Sequence, residues 1–325
     1  MSEANATAAP LVSVALCTYN GAAYLGEQLE SLLGQHGVRI EIVAVDDGSQ
    51  DGTRAILRDY AARDARVRCF ENARNLGPTA SFERAMSLCR GDFIAPSDQD
   101  DVWEPDKLAR LLDAIDGCDT VYCDSAYIHA DGRPTGRRIS DGMAMLEGTN
   151  PIAFLFANSV SGHAMLLRRA LFERARPFPE GAYHDWWLAL CAAGIAGIRY
   201  VDQPLVRFRR HEDAFSPMGR VGRASSREAA PSLAWLEQRH RLMAAYGETG
   251  LRRSAEAGAL ADALRQAIDH GRTARLAALL WRMRAVLPRW SGFAPFDAGK
   301  MFVRLLRKLR RARRTSGASE PASRQ

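Results

Sequence analysis

The sequence predicts an open α/β domain built on a largely parallel sheet. Short apolar runs at 11–17, 40–45, 67–70, 92–96 and 120–124 alternate with segments of helical periodicity. Polar clusters follow the first, second and fourth of these runs. Strands alternating with helices signal parallel βαβ units. In such sheets ligands bind beyond the carboxyl ends of the strands.

Each element has a local reason. "LVSVALC" (11–17) reads as a buried strand, and Leu25, Leu29, Leu32 and Leu33 then fall at helical spacing, with Asn20 as a candidate N-cap. "IEIVAV" (40–45) is a second strand, "DDGSQDGT" a turn and "RAILRDYAA" a helix. "VRCF" is a short strand, and the loop "ENARNLGPT" leads into the helix "ASFERAMSLC". "DFIAP" is a strand, "EPDKLARLLDAI" a helix with Pro105 near its first turn, and "TVYCD" another strand. Further on, 154–175 reads as a strand-like run into a helix, "YHDWWLALCAAGI" (183–195) as a helix and "IRYVDQPLVRFRRH" as paired strands. The polar, glycine-bearing stretch 216–232 suggests a mobile loop or linker, and 233–314 reads as helical. The expected organisation is a disordered 1–10, an α/β domain over 11–215, the linker, the helical region 233–314 and a disordered tail 315–325.

Composition narrows the function classes. The chain has 325 residues, 47% hydrophobic and 25% charged, enough for a sizeable core. No run approaches eighteen consecutive apolar residues, and "MSEANATAAP" lacks the basic start and apolar core of a signal peptide, so a cytoplasmic location is expected. Six Cys without a CxxC pair point to buried thiols, not to a zinc site. The net charge of +6 is uneven: residues 300–325 hold nine Lys/Arg against one Glu, which leaves the remainder slightly acidic. With no aromatic platform or recognition motif, nucleic acid is not an expected partner.

The densest chemistry lies in "PSDQDDVWEPDK" (96–107), with Asp98, Asp100 and Asp101 inside four residues. Carboxylates this close repel, and a hard divalent cation would offset the repulsion. Mg²⁺ needs only one or two carboxylates plus a substrate phosphate. An exposed acidic loop is the plain alternative for D-x-D alone. Its position after a buried strand, on the same rim as Thr18–Asn20 and Asp46–Ser49, favours a shared site.

Taken together, "VSVALCTYNGAAYLGEQLESLLGQ", "VAVDDGSQDGT", "NLGPTASFERAM", "GDFIAPSDQDDVWEPDKL" and "YHDWWLAL" stand in an order that resembles the family-2 inverting glycosyltransferases. Bacterial rhamnosyltransferase-like members of surface-polysaccharide synthesis are the nearest in appearance. The resemblance spans roughly residues 11–215. It implies a GT-A fold, a Rossmann-like mixed sheet flanked by helices, here with a helical C-terminal extension.

The resemblance also implies roles. Thr18, Tyr19 and Asn20 match the loop that cradles a nucleotide base; Asp47 matches the acid that bonds the base, with Asp46 its neighbour. Asp100 matches the main metal-binding carboxylate, and Asp98 faces the ribose and metal. Asp101 stands behind them. Asp185 matches the general base, and His211 a residue that closes over the diphosphate and can bind the metal. His163 falls near the acceptor, with a satisfied core His as the alternative. Trp186 and Trp187 divide between core and sugar-pocket floor. Two positions depart from the family pattern: His184 precedes Asp185 where an acid is common, and "EDAFS" follows His211 where Asn is common.

The implied enzyme uses a divalent cation (Mg²⁺ or Mn²⁺) and a nucleoside-diphosphate sugar, with dTDP-rhamnose a donor suggested by resemblance. The implied acceptor is a lipid-linked saccharide at the inner face of the cytoplasmic membrane. Phe302, Leu305, Leu306 and Leu309 form an apolar stripe between basic residues, which suits peripheral contact with an anionic membrane. A solvated helix end is the alternative. The competing functions are a sugar-nucleotide nucleotidyltransferase, for which "CTYNGAAYLGEQ" lacks a glycine-rich basic phosphate loop, and a non-catalytic binding module, against which Asp185 and the acidic cluster both argue.

Overall fold

The structure, a computed structural model, describes residues 10–212, 232–287 and 294–316. The expected linker at 216–232 and both expected disordered termini lie almost wholly outside them. The first half alternates as expected: β1 (Leu11–Thr18), α1 (Leu25–Leu33), β2 (Arg39–Asp46), α2 (Thr53–Arg63), β3 (Val67–Glu71), α3 (Pro78–Leu88) and β4 (Phe93–Ser97). Next come β5 (Val102–Trp103), α4 (Lys107–Ala114), β6 (Thr120–Ile128), β7 (Pro134–Arg138), α5 (Pro151–Phe156), β8 (Met165–Arg168), α6 (Arg169–Ala175), α7 (His184–Gly194) and β9 (Ile198–Arg209). The helices α8 (Ser232–Gly247), α9 (Ser254–His270), α10 (Ala274–Arg282) and α11 (Ala294–Ser316) follow.

The strands form one sheet in the order β3-β2-β1-β4-β8-β6-β9-β5, with β7 paired to β6. Strands β3, β2, β1 and β4 run parallel. Strand β8 then lies antiparallel to both β4 and β6. The sheet is therefore mixed, not largely parallel. The reversal has a positional effect: the start of β8 arrives beside the end of β4. The expected paired strands at 198–211 are one strand, β9, parallel to β6 with register shifts at Cys123–Asp124 and Asp124–Ser125.

Both faces of the sheet are buried, which is why the strand sequences are apolar on alternate residues of both sets. Val12, Val14, Leu16, Ile40, Ile42 and Ala44 face one layer with α1, α2 and α4. Ala15, Val43 and Val45 face the other, with α3, α5, α6 and α7. That second layer continues without a break into Leu236, Leu260, Leu280 and Leu305 of α8–α11. The helical region thus shares a core with the α/β part.

Two local expectations change. Asn20 does not cap α1; its φ is +49°, and the helix begins after Tyr24. The "FLF" of 154–156 closes a short helix, because Pro151 at its first turn favours helical backbone. On α11, Leu305, Leu309 and Ala312 are buried against the protein, so the apolar stripe is spent on internal packing. No described helix is long and apolar enough to cross a membrane.

Candidate active site

The loops after β1 and β2 brace each other. Asp46 is buried and accepts bonds from Thr18 Oγ1 at 3.1 Å, Gly48 N at 3.2 Å and Ser49 N at 3.0 Å. Gly48 has φ +88°, the left-handed turn that lets those amides face the carboxylate. Asn20 N donates to Ser49 Oγ at 2.9 Å, and Gln50 N donates to Asn20 Oδ1 at 2.8 Å. Asp47 accepts from Asn72 Nδ2, Leu76 N and Gly77 N at 2.6, 2.8 and 2.9 Å. Only Gly77 bonds its Oδ2, which keeps acceptor capacity for a ligand. Tyr19 is 48% exposed. Its amide donates to Gln99 Oε1 at 2.8 Å while Gln99 Nε2 returns a bond to Tyr19 O at 3.0 Å, tying this loop to the one after β4.

The acidic cluster divides into two groups. Asp98, Asp101 and His163 form the first, with one donor atom from each all within 4.8 Å of one another. His163 Nδ1 is 3.7 Å from Asp98 Oδ2 and 3.6 Å from Asp101 Oδ2. Its Nε2 meets Ser125 Oγ at 2.9 Å, and its ring stacks on Phe208. Asp101 is fully buried; Oδ1 accepts from Arg209 N at 3.1 Å, while Oδ2 has no hydrogen-bond partner. The second group is Asp100 and His211, whose Oδ2 and Nε2 stand 2.9 Å apart. His211 Nδ1 is buried and, among the described residues, unpartnered.

Asp185 lies in the first turn of α7, where its Oδ1 accepts from Trp186 N at 2.6 Å. The 162–164 turn abuts it: a Cβ built on Gly162 would lie 3.6 Å from Asp185 Cβ and 2.6 Å from His184 Nε2. His163 and Asp185 are therefore close neighbours, and the Asp98 charge reaches Asp185 and His184. His184 stacks on Phe82 at 3.9 Å. Trp186 and Trp187 are both buried, with Nε1 atoms tied to Phe154 O and Ala175 O. Neither lies open as a pocket floor, and the Arg239 guanidinium covers the Trp186 ring at 3.8 Å.

Charge in the site follows from burial and neighbours. Burial, with the charges of Asp100 and Asp98 added, pushes Asp101 up to about 7. Burial also raises Asp185, and Asp98 adds to the shift. Burial would raise Asp98, but the nearby His163, with His184 and Lys107, outweighs it and holds Asp98 below the ordinary range. For His163, the pull of Asp101 and Asp98 outweighs burial and raises its pKa. Burial keeps His184 below its ordinary value.

Sequence reasoning missed two buried cations. Lys107 is fully buried, donates to His163 O and sits over the Trp103 ring at 3.1 Å. Burial lowers its pKa to about 7. A signal existed: a lysine in a first helical turn opposes the helix dipole and asks for another reason to be there. Arg209, 2% exposed, bonds Asp100 O, Ala130 O and Glu27. Nothing in "LVRFRRH" separates it from the half-buried Arg207 and Arg210.

Both acidic groups fit a divalent cation, by different criteria. The Asp100–His211 separation matches the edge of an octahedron of ligands at about 2.1 Å, roughly 3 Å. The Asp98–Asp101–His163 group is wider but carries the orphaned carboxylate oxygen.

The comparisons with known proteins agree with this architecture. Residues 13–175, about half of the chain, match the model for glycosyl transferase family 2. The chain belongs to that family. This family-2 glycosyltransferase is 32% identical over 169 residues to the succinoglycan biosynthesis protein ExoO of Rhizobium meliloti, covering 51% of the chain and 48% of ExoO. It is 24% identical over 217 residues to an uncharacterized glycosyltransferase of Haemophilus influenzae, covering 62% of the chain and 66% of that protein. The chain thus spans about half to two thirds of these relatives' length. Among solved structures, S. aureus TarS 1–349 in complex with UDP-GlcNAc matches with a TM-score of 0.59 at 16% identity, over 94% of this chain and 92% of that one. A mannosyltransferase from Pyrobaculum calidifontis, PcManGT, in complex with GDP-Man and Mn²⁺, matches with a TM-score of 0.51 at 18% identity, over 94% and 87%. The mixed sheet with flanking helices is the GT-A fold.

Proposed function

We propose that the enzyme moves a sugar from a nucleoside-diphosphate donor to an acceptor hydroxyl by one inverting displacement, in the synthesis of a surface polysaccharide. What supports this reading is the nearness of Asp98, His163 and Asp185 to one another, with Asp98 directly following β4. Thr18, Tyr19, Asn20 and Asp47 hold the nucleotide base, and Asp46 fixes the loop that carries them. Asp98 faces the ribose. Asp100 and His211 hold the cation, with Asp101 and His163 beside them. A divalent ion bound there neutralises charge on the departing diphosphate.

Asp185 is the base. Its Oδ1 is fixed by Trp186 N, which leaves Oδ2 to take the acceptor proton. The hydroxyl oxygen bonds the anomeric carbon as the bond to the diphosphate breaks, and the proton passes to Asp185. The raised pKa of Asp185 makes it a stronger base than a free carboxylate. The donor panel starts from UDP-GlcNAc, the ligand of TarS, and dTDP-rhamnose. The name of ExoO supports a polysaccharide product. A lipid-linked acceptor would bring the enzyme to the cytoplasmic face of the membrane. Contact there would be electrostatic, through exposed Arg304, Arg307 and Arg310 of α11, since the apolar stripe is packed inside.

The test is turnover. With nucleotide sugars and Mg²⁺ or Mn²⁺, the enzyme releases nucleoside diphosphate; chelator and Asp100→Ala abolish release. Binding without turnover, indifferent to both, would make the chain a binding module. Release of pyrophosphate from a nucleoside triphosphate and a sugar phosphate would make it a nucleotidyltransferase.

A further inference from the structure

A second charged cluster touches Trp186, the residue after Asp185 on α7, and the chemistry above makes no use of it. Arg239 of α8 is 7% exposed, yet among the described residues its Nε and Nη1 have no hydrogen-bond partner. Its guanidinium lies between two indoles, 3.8 Å from the Trp186 ring centre and 4.8 Å from that of Trp235. Arg304 and Lys308 of α11 approach the same Trp235 ring at 5.8 and 4.7 Å. Three cations therefore crowd one indole. Among the described residues none of the three has a carboxylate partner. Burial lowers Arg239 to about 9, and the Arg304 charge adds to the shift.

Stacking on indole stabilises a cation, but it satisfies no N–H donor. An unpaired buried charge remains costly. A bound oxyanion would remove that cost, since a guanidinium fork matches phosphate and carboxylate oxygens. Arg304 is exposed and Lys308 half-buried, so the cluster grades from an open rim to a deep floor. The floor touches Trp186, whose amide bonds Asp185, the candidate base.

We propose that Arg239, Arg304 and Lys308 bind an oxyanion of the acceptor, a phosphate of its lipid carrier or a sugar carboxylate, and so seat the acceptor beside Asp185. The assignment to the acceptor rests on the transferase reading; the anion site itself does not. Its test therefore uses neither donor nor metal.

The experiment is calorimetric titration of the full chain in chelator with inorganic pyrophosphate and, separately, glucuronate, alongside thermal melts. Pyrophosphate is expected to bind saturably and to raise the melting temperature by mass action. Lys308→Gln, at a half-buried position, weakens binding at least about tenfold, the loss of one charge-assisted contact. Arg239→Gln abolishes it. Binding of glucuronate instead supports the site and assigns it to a carboxylate. Failure of both anions to bind, or equal binding by wild type and Lys308→Gln, overturns the proposal. Donor turnover, measured independently, can survive that result, so the two readings fail separately.

Discussion

Asp185 and Gly162 set the sharpest expectations at the scale of single residues. Asp185→Asn keeps the shape but removes the proton acceptor, so kcat for transfer falls by about 10²–10⁴ while donor affinity changes little; steady-state kinetics with a calorimetric donor Kd separates the two. The acid limb of the kcat profile should lie above the ordinary carboxylate value near 3.8, because burial and Asp98 raise Asp185. Asp98→Asn removes a like charge, so the limb in residual activity moves to lower pH; a limb that stays put argues against Asp185 as the titrating group. Gly162→Ala inserts a methyl 2.6 Å from His184 Nε2. Displacing that ring next to the base is expected to cost up to about 10²-fold in kcat, with near-normal melting. At this scale the sequence displays the acids well, since "SDQDD" crowds three carboxylates just after a buried strand and "YHDWW" sets one at the start of an apolar helix. Lys107, Arg209 and Arg239 stay hidden, because a buried cation and a solvated one look alike until the fold supplies their surroundings.

Among the elements, β2 is anchored by polar contacts as well as apolar ones. Glu41 accepts from Ser13 Oγ at 2.7 Å, Arg90 N at 2.6 Å and Arg68 Nη1 at 2.8 Å, which joins β1, β2 and the turn before β4. Desolvation opposes its ionisation, but these donors win and hold its pKa below 4.5. A lowered folded-state pKa stabilises above the unfolded value and is lost as pH falls through the folded one. Glu41→Gln should therefore destabilise by about 1–3 kcal/mol at neutral pH, and its melting deficit should shrink in acid below about pH 4. A deficit constant with pH would mean that volume, not charge, matters there. The parallel elements up to β4 are legible because apolar runs and turn residues alternate cleanly. Strand β8 is not, since "MLLR" flows into a helix without a turn signal. Strand β9 reads as two because "VDQP" resembles a turn, whereas a register shift against β6 absorbs it.

At the scale of the whole molecule, α11 joins the main core through Leu305, Leu309 and Ala312 while Arg304, Arg307 and Arg310 are exposed. Binding to anionic vesicles should consequently be reversible and fall away as salt shortens the screening length toward about 3 Å at 1 M; co-sedimentation across a salt series checks it. Salt-resistant binding would instead require an inserted apolar face. The antiparallel β8 also governs how the chain is made. Strand β4 is complete at Ser97, yet its outer partner ends only at Arg168. Until that later stretch leaves the ribosome, β4 presents an unpaired backbone to whatever lies nearby, including sister chains. Nascent or nicked forms that stop between these points are the ones a cell would need to chaperone or destroy.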